Sequence, residues 1–107
     1  MRVLLHELAH CRAGDKGNTA TLSVFPYDDA DYPLLVRELT ADRVRAHLAS
    51  HVGGEVVRYE LPNLVALHFV CHQVVDGGVT TSLALDTHGK TLSSRLLSLP
   101  LDLEDRR

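Results

Sequence analysis

Residues 19–25, TATLSVF, alternate without interruption, with Ala20, Leu22 and Val24 on one face and Thr19, Thr21 and Ser23 on the other. Successive side chains of a strand point to opposite sides, so this is the pattern of a half-buried β-strand. Such a strand belongs in a sheet that is covered on one side and open on the other. Pro26 ends it, because proline has no N–H to contribute to a ladder.

The remaining elements are placed around that strand. Val3 to Leu8 reads as an earlier strand, and RAGDKGN at 12–18 as a loop with two glycines. From Pro33, Leu35 and Leu39 stand at helical spacing; Thr40 then offers an N-cap for a second stretch in which Val44, Leu48 and Val52 recur every fourth residue. Gly53 and Gly54 stop it. Glu55 to Leu61 alternates again, with Val57, Tyr59 and Leu61 facing in and Val56, Arg58 and Glu60 facing out, and Pro62 closes the strand.

Residues 63–75 admit two readings. As a helix the segment has Asn63 as N-cap, Leu64, Leu67, Cys71 and Val74 on one face, and Gly77 beyond its end. As a strand it has Val65, Val70, Val74 and Val75, which suit a sheet, but no clean alternation. Period and caps favour the helix. Val79 to Leu85 and Leu92 to Leu99 flank DTHGK, which reads as a hairpin connection with Gly89 at its left-handed position and a bulge between Leu96 and Leu97. The expected class is α+β: a mostly antiparallel sheet with two helical regions packed on one face, forming one domain over 1–101 with a charged tail at 102–107.

Composition narrows the function. Eleven Lys plus Arg against 14 Asp plus Glu leave a formal charge of −3 and aromatics are only 5%, which argues against nucleic-acid or polybasic membrane binding. The opening MRVLLHELAH is too short in apolar residues for a signal peptide or a membrane span, and Cys11 and Cys71 have no CxxC partner. A cytoplasmic protein with reduced thiols is expected. Seven histidines would carry the charge from −3 to +4 on protonation.

Three histidine pairs have i, i+4 spacing. His6 and His10, on an extended segment, are about 13 Å apart, too far for one metal. His47 and His51 fall on the polar side and end of a helix and read as solvated surface. His68 and His72, with Cys71 between them, form the one ligand-like set, and His68 reads more simply as a core histidine; no metal site and no cofactor are expected. His88 reads as a turn residue of the DTHGK connection.

The segments LAHCRAGDKGNTATLSVF, DYPLL through RAHLAS, VVRYELPNLVALHFV and GGVTTSLALDTHGKTLSSRLL together resemble the AtuA-like ferredoxin-fold domain, most specifically through RxGDKGN at Arg12, Gly14, Asp15, Lys16, Gly17 and Asn18. The resemblance covers nearly the whole chain. It implies a ferredoxin-like fold and a bacterial setting of acyclic terpene utilisation, in which such a domain follows a large domain or stands as a short separate chain. It implies no established catalytic residue.

The RAGDKGN segment carries the chemistry. Two glycines allow a sharp turn and a close backbone approach, Arg12 and Lys16 bring two cations, and free N–H groups can form an anion-binding nest. A carboxylate or the phosphates of coenzyme A would suit Arg12, Gly14, Asp15, Lys16, Gly17 and Asn18 as a binding set. The alternative is a tight connection in which Asp15 caps backbone N–H groups. His10, just before the segment, is the candidate general base, with Asp15 as its carboxylate partner; His72 is second.

Three functions compete. The first is an accessory or ligand-binding subunit for an acyl-CoA thioester, working with a larger partner of the AtuA type. The second is a small acid–base enzyme of the hydratase or isomerase kind. The third is a structural domain whose Leu96, Leu97, Leu99 and Leu101 supply contacts in a homo-oligomer.

Overall fold

A computed structural model of the protein describes residues 2–76, 79–80 and 87–103. Its centre is a four-stranded antiparallel sheet built from β2 (Ala9–Lys16), β3 (Thr19–Pro26), β4 (Val56–Leu61) and β5 (Ala66–Cys71), in spatial order β2-β3-β5-β4. The N-terminal strand β1 (Arg2–Leu4) pairs instead with the C-terminal strand β8 (Pro100–Asp102). The short β6 (Val75–Asp76) and β7 (Val79–Thr80) form a third ladder. Among the described residues three helices, α1 (Tyr32–Glu38), α2 (Ala41–His47) and α3 (Thr87–Leu97), complete the α+β architecture.

The strand order identifies the topology. A ferredoxin-like βαββαβ chain places its strands in the spatial order four, one, three, two. Here β3, β4 and β5 take places one, two and three, with α1 and α2 as the first crossover and α3 after β5. The fourth place belongs to β2, which comes first in the chain and enters β3 directly. The same cyclic order has been rotated, with the last strand moved to the front; the strand expected at Val3–Leu8 corresponds to β1, which lies outside this sheet, and β2 occupies residues expected to form a loop.

All three helices lie on one side of the sheet. Ala20, Leu22 and Val24 from β3 and Leu67, Phe69 and Cys71 from β5 meet Leu35, Val44, Leu48, Leu92 and Leu96 in one solvent-free core. The break between α1 and α2 falls at Thr40, whose Oγ1 accepts the Arg43 N–H at 3.2 Å. Capping at this position satisfies one of the free N–H groups of the first turn.

Several expectations change. The first strand stops at Leu4, because Leu5–Glu7 form a 3-10 turn before β2 begins. Residues 66–71 are a strand, not the favoured helix: β5 is central, hydrogen-bonded on both sides, and its open face carries Ala66, His68 and Val70, so apolar residues on both faces erase the alternation. Leu92 to Leu97 is helical, with neither hairpin strand nor bulge, and His88 sits in α3; Leu92 and Leu96 follow the spacing of one helical face into the core, and Leu99 is buried just past the helix end. Of the other hairpin arm, Val79–Thr80 is β7, and 81–85 lie outside the described residues. Leu96, Leu99 and Leu101 are buried and Leu97 packs against the same core, so this run is not free to face another subunit. Asp102 pairs with Arg2 in register and Leu103 is buried, so packing continues past residue 101.

The faces of β4 are also reversed. Val56 is buried and Arg58 points to the helices, while Tyr59 is 51% exposed on the opposite side. Arg58 Nη1 donates to the carbonyls of Val36 (2.7 Å) and Leu39 (3.0 Å), and Nη2 pairs with Glu60 at 2.9 Å. The end of α1 leaves carbonyls without intrahelical partners and is the negative end of its dipole, so a cation fits there better than a tyrosine.

Candidate functional site: the open face of the sheet

The RAGDKGN segment is a strand and a turn. Residues 9–16 are extended, and the register Lys16↔Thr19 leaves Gly17 and Asn18 as a two-residue hairpin loop. Gly17 has φ +65°, the left-handed conformation that hairpin turns of this length demand and that favours glycine. Gly14 lies in β2 opposite Thr21; a Cβ there would come within 2.8 Å of Thr21 Oγ1. The extended backbone of β2 directs its N–H groups into the ladder or along the sheet edge, so they do not converge into a nest. Asn18 contributes its carbonyl, which accepts the Val74 N–H at 2.8 Å.

Alternation separates the candidates. His10, Arg12, Gly14 and Lys16 stand on the open face, in register with Phe25, Ser23, Thr21 and Thr19. Asp15 has the opposite parity and lies five residues from His10 along an extended strand, about 16 Å away. The structure therefore does not bring His10 and Asp15 together as base and partner. His10 is stacked against Phe25 (centroids 5.2 Å, 16° between planes) and Tyr27 (5.7 Å, 28°). Arg12, Asp15 and Lys16 are exposed and take part in none of the ion pairs among the described residues.

The ligand-like set of His68, Cys71 and His72 is dispersed by the same rule. His68 is on the open face and Cys71 is buried beneath the helices, while His72 follows four residues on, about 13 Å from His68. Among the described residues no three of His, Cys, Asp and Glu gather closely enough to hold a metal ion. Burial pushes the Cys71 thiol up to about 11 and the Cys11 thiol up to about 12. Protonated thiols are poor nucleophiles. His47, expected in solvent, instead joins α2 to α3: its Nε2 lies 2.7 Å from the Arg95 carbonyl and 3.0 Å from Ser98 Oγ.

A polar row missed in the sequence crosses the centre of the open face. Arg12, Ser23, His68 and Tyr59 are successive partners in register over the four strands. Ser23 Oγ is 2.8 Å from His68 Nδ1, and the Tyr59 ring is tilted at 44° to the imidazole with centroids 6.4 Å apart. Ser23 and His68 are half-buried, within reach of a molecule lying on the sheet. The signal in the sequence was the odd-numbered polar residues of TATLSVF. Their partner is hidden in the sequence because period and caps place His68 on a helix.

The charge of this face is one-sided. Its residues are His10, Arg12, Gly14 and Lys16 from β2; Thr19, Thr21, Ser23 and Phe25 from β3; Ala66, His68 and Val70 from β5; and Val57, Tyr59 and Leu61 from β4. None of these is a carboxylate, in a chain whose formal charge is −3. A separate depression of about 450 Å³ beside α2, lined by Asp42, Arg45, Ala46, Ala49, Val52 and Gly53, contains none of the candidates. Among the described residues, no helix is long and apolar enough to cross a membrane.

Neither a curated protein nor a solved structure matches the chain. A family model does, over residues 3–102, which takes in β2 through β8 and therefore the whole open face. With its rotated ferredoxin-like sheet and its RAGDKGN hairpin, the chain belongs to the AtuA ferredoxin-like domain family.

Proposed function

We propose that the domain is a ligand-binding accessory unit that holds an anionic acyl compound, a carboxylate or a coenzyme A thioester of an acyclic terpenoid or branched acid, on the open face of its sheet. The observation that carries this reading is the carboxylate-free face, on which Arg12 and Lys16 are the permanent cations. They stand four residues apart on one strand, about 13 Å, so an extended anion can meet both while a compact one meets Arg12 alone. A guanidinium binds carboxylate or phosphate bidentately, and a charged hydrogen bond contributes about 1.5–3 kcal/mol. The family's association with acyclic terpene utilisation supports the acyl class, and its occurrence beside a large domain supports service to a larger catalytic partner.

Titration calorimetry with a branched acyl-CoA thioester tests the reading, first on the domain alone and then in the presence of the larger partner. Saturable binding that weakens with salt is expected, with Arg12→Gln lowering affinity roughly ten-fold or more. Absence of binding in both settings overturns it.

A further inference from the structure

We infer that Ser23 and His68 are a nucleophile and its base, able to take an acyl group from an ester or thioester lying on the open face. The Ser23 Oγ to His68 Nδ1 distance of 2.8 Å is within the range for direct proton transfer from a serine to an imidazole. Both groups are reachable from the open side, and neither belongs to the buried core. On its other flank Ser23 faces Arg12 in register, so the neighbouring strand carries a cation on the same face, the kind of group that stabilises negative charge on an attacked carbonyl. The Tyr59 ring stands beside the imidazole, with centroids 6.4 Å apart. Stability alone does not call for this pair, since a cross-strand apolar pair contributes a similar amount.

The step balances within these groups. His68 Nδ1 takes the Ser23 hydroxyl proton as Oγ bonds to the carbonyl carbon, and the carbonyl electron pair moves onto oxygen beside Arg12. When the carbonyl reforms, the bond to sulfur (or to the alcohol oxygen of an ester) breaks, and the leaving atom takes the proton from the imidazolium. The products are an acyl ester on Ser23 and a free thiol or alcohol. Water then follows the same route: His68 takes its proton, the hydroxyl oxygen adds to the ester carbon, Ser23 departs with the proton returned, and a carboxylic acid is released. No carboxylate among the strand residues of this face orients the imidazole. Where a triad loses its acid the rate falls roughly 10⁴-fold, so a slowly turning over acyl-enzyme is expected rather than rapid hydrolysis.

This proposal rests on the acyl-binding reading, and the two can fail separately. The 107-residue chain is incubated with p-nitrophenyl butyrate and, in parallel, with butyryl-CoA, then examined by intact-mass and peptide mass spectrometry. One butyryl group on the peptide containing Ser23 is expected, with a matching release of p-nitrophenolate. Ser23→Ala should carry no adduct, Ser23→Cys should carry it as a thioester, and His68→Gln should slow acylation by roughly 10²-fold or more. Circular dichroism melts establish that each variant is folded. An unmodified wild-type chain, or an adduct that persists in Ser23→Ala, overturns the proposal. If folded Ser23→Ala and wild type bind butyryl-CoA equally and neither is acylated, acyl transfer falls while acyl binding stands. If the ester acylates Ser23 but no thioester binds, the binding reading falls instead.

Discussion

The two faces of the central sheet come from the same four strands, one residue out of phase, yet they differ in kind. On the covered side Ala20, Leu22, Val24, Leu67, Phe69 and Cys71 are fully buried. On the open side Thr21, Ser23, Phe25, His68 and Val70 are only half-buried, and Tyr59 is more exposed still. The covered face is held by apolar area removed from water, which is non-directional and sensitive to volume. On the open face the ordering is by polarity: a cationic edge strand, a hydroxyl–imidazole pair in the middle, and an aromatic stack at one end. Substitutions on the first face should therefore report mainly on stability, and on the second mainly on binding.

The sharpest test is a matched pair of phenylalanines. Phe69→Ala on the covered face should cost about 3–5 kcal/mol, enough to unfold a marginal domain, whereas Phe25→Ala on the open face should cost less than half as much. Denaturant titrations of both variants decide it; equal losses would show that the open face is structural too. Alkaline pH probes the same contrast. Because burial raises the Cys11 and Cys71 thiols from 9.0 to about 12 and about 11, the folded chain retains protons that the unfolded chain gives up. That contribution is complete below about pH 9 and is lost as pH rises through 11 to 12, so unfolding midpoints should fall over this window. Cys71→Ala should flatten the fall, and alkylation of native Cys71 should remain slow at neutral pH.

Arg58 is the exception that sharpens the comparison, since it is a cation on the covered side. Arg58→Met should leave the carbonyls of Val36 and Leu39 short of a donor and destabilise the chain by about 1–3 kcal/mol. Lysine should restore only part of this, because an ammonium lacks the planar fork. At the small end, Arg12→Gln on the open side should change stability by no more than about 0.5 kcal/mol while reducing ligand affinity. A stability loss as large as that at Arg58 would assign Arg12 to the scaffold.

The parts that were legible in the sequence are those where one local rule had no competitor. The β3 alternation, its end at Pro26, the break at Thr40 with its cap, and burial of Val44 and Leu48 all follow from period and end chemistry, whereas the helix expected to run to Gly53 ends at His47 and Val52 is buried through a bridge to Val74. Where two rules conflicted, the outcome depended on neighbours. The glycine-containing DTHGK segment points to a hairpin connection, yet α3 runs through Gly89 and buries Leu92 and Leu96 one helical turn apart. In β4 hydrophobicity pointed Tyr59 inward, but the end of α1 supplied carbonyls that only Arg58 could meet. As for the site, His10 and Arg12 were named from sequence and do share a face, while the partnership with Asp15 failed on parity and distance. Ser23 and His68 lie 45 residues apart, a separation at which no spacing rule operates.

By itself the sequence determined the α+β class, the family, the β3 strand, the helical break and the concentration of cations around Arg12 and Lys16. These are consequences of residue type and short-range period, which act without a partner. Only the tertiary structure decided that residues 12–16 form an edge strand rather than a loop, that β2 fills the fourth place of a rotated ferredoxin-like sheet, and which side of each strand meets water. Those outcomes follow from strand pairing, since a register shift of one residue exchanges the two faces of a strand. Pairing between distant segments set that register here, and with it the line from Arg12 through Ser23 and His68 to Tyr59.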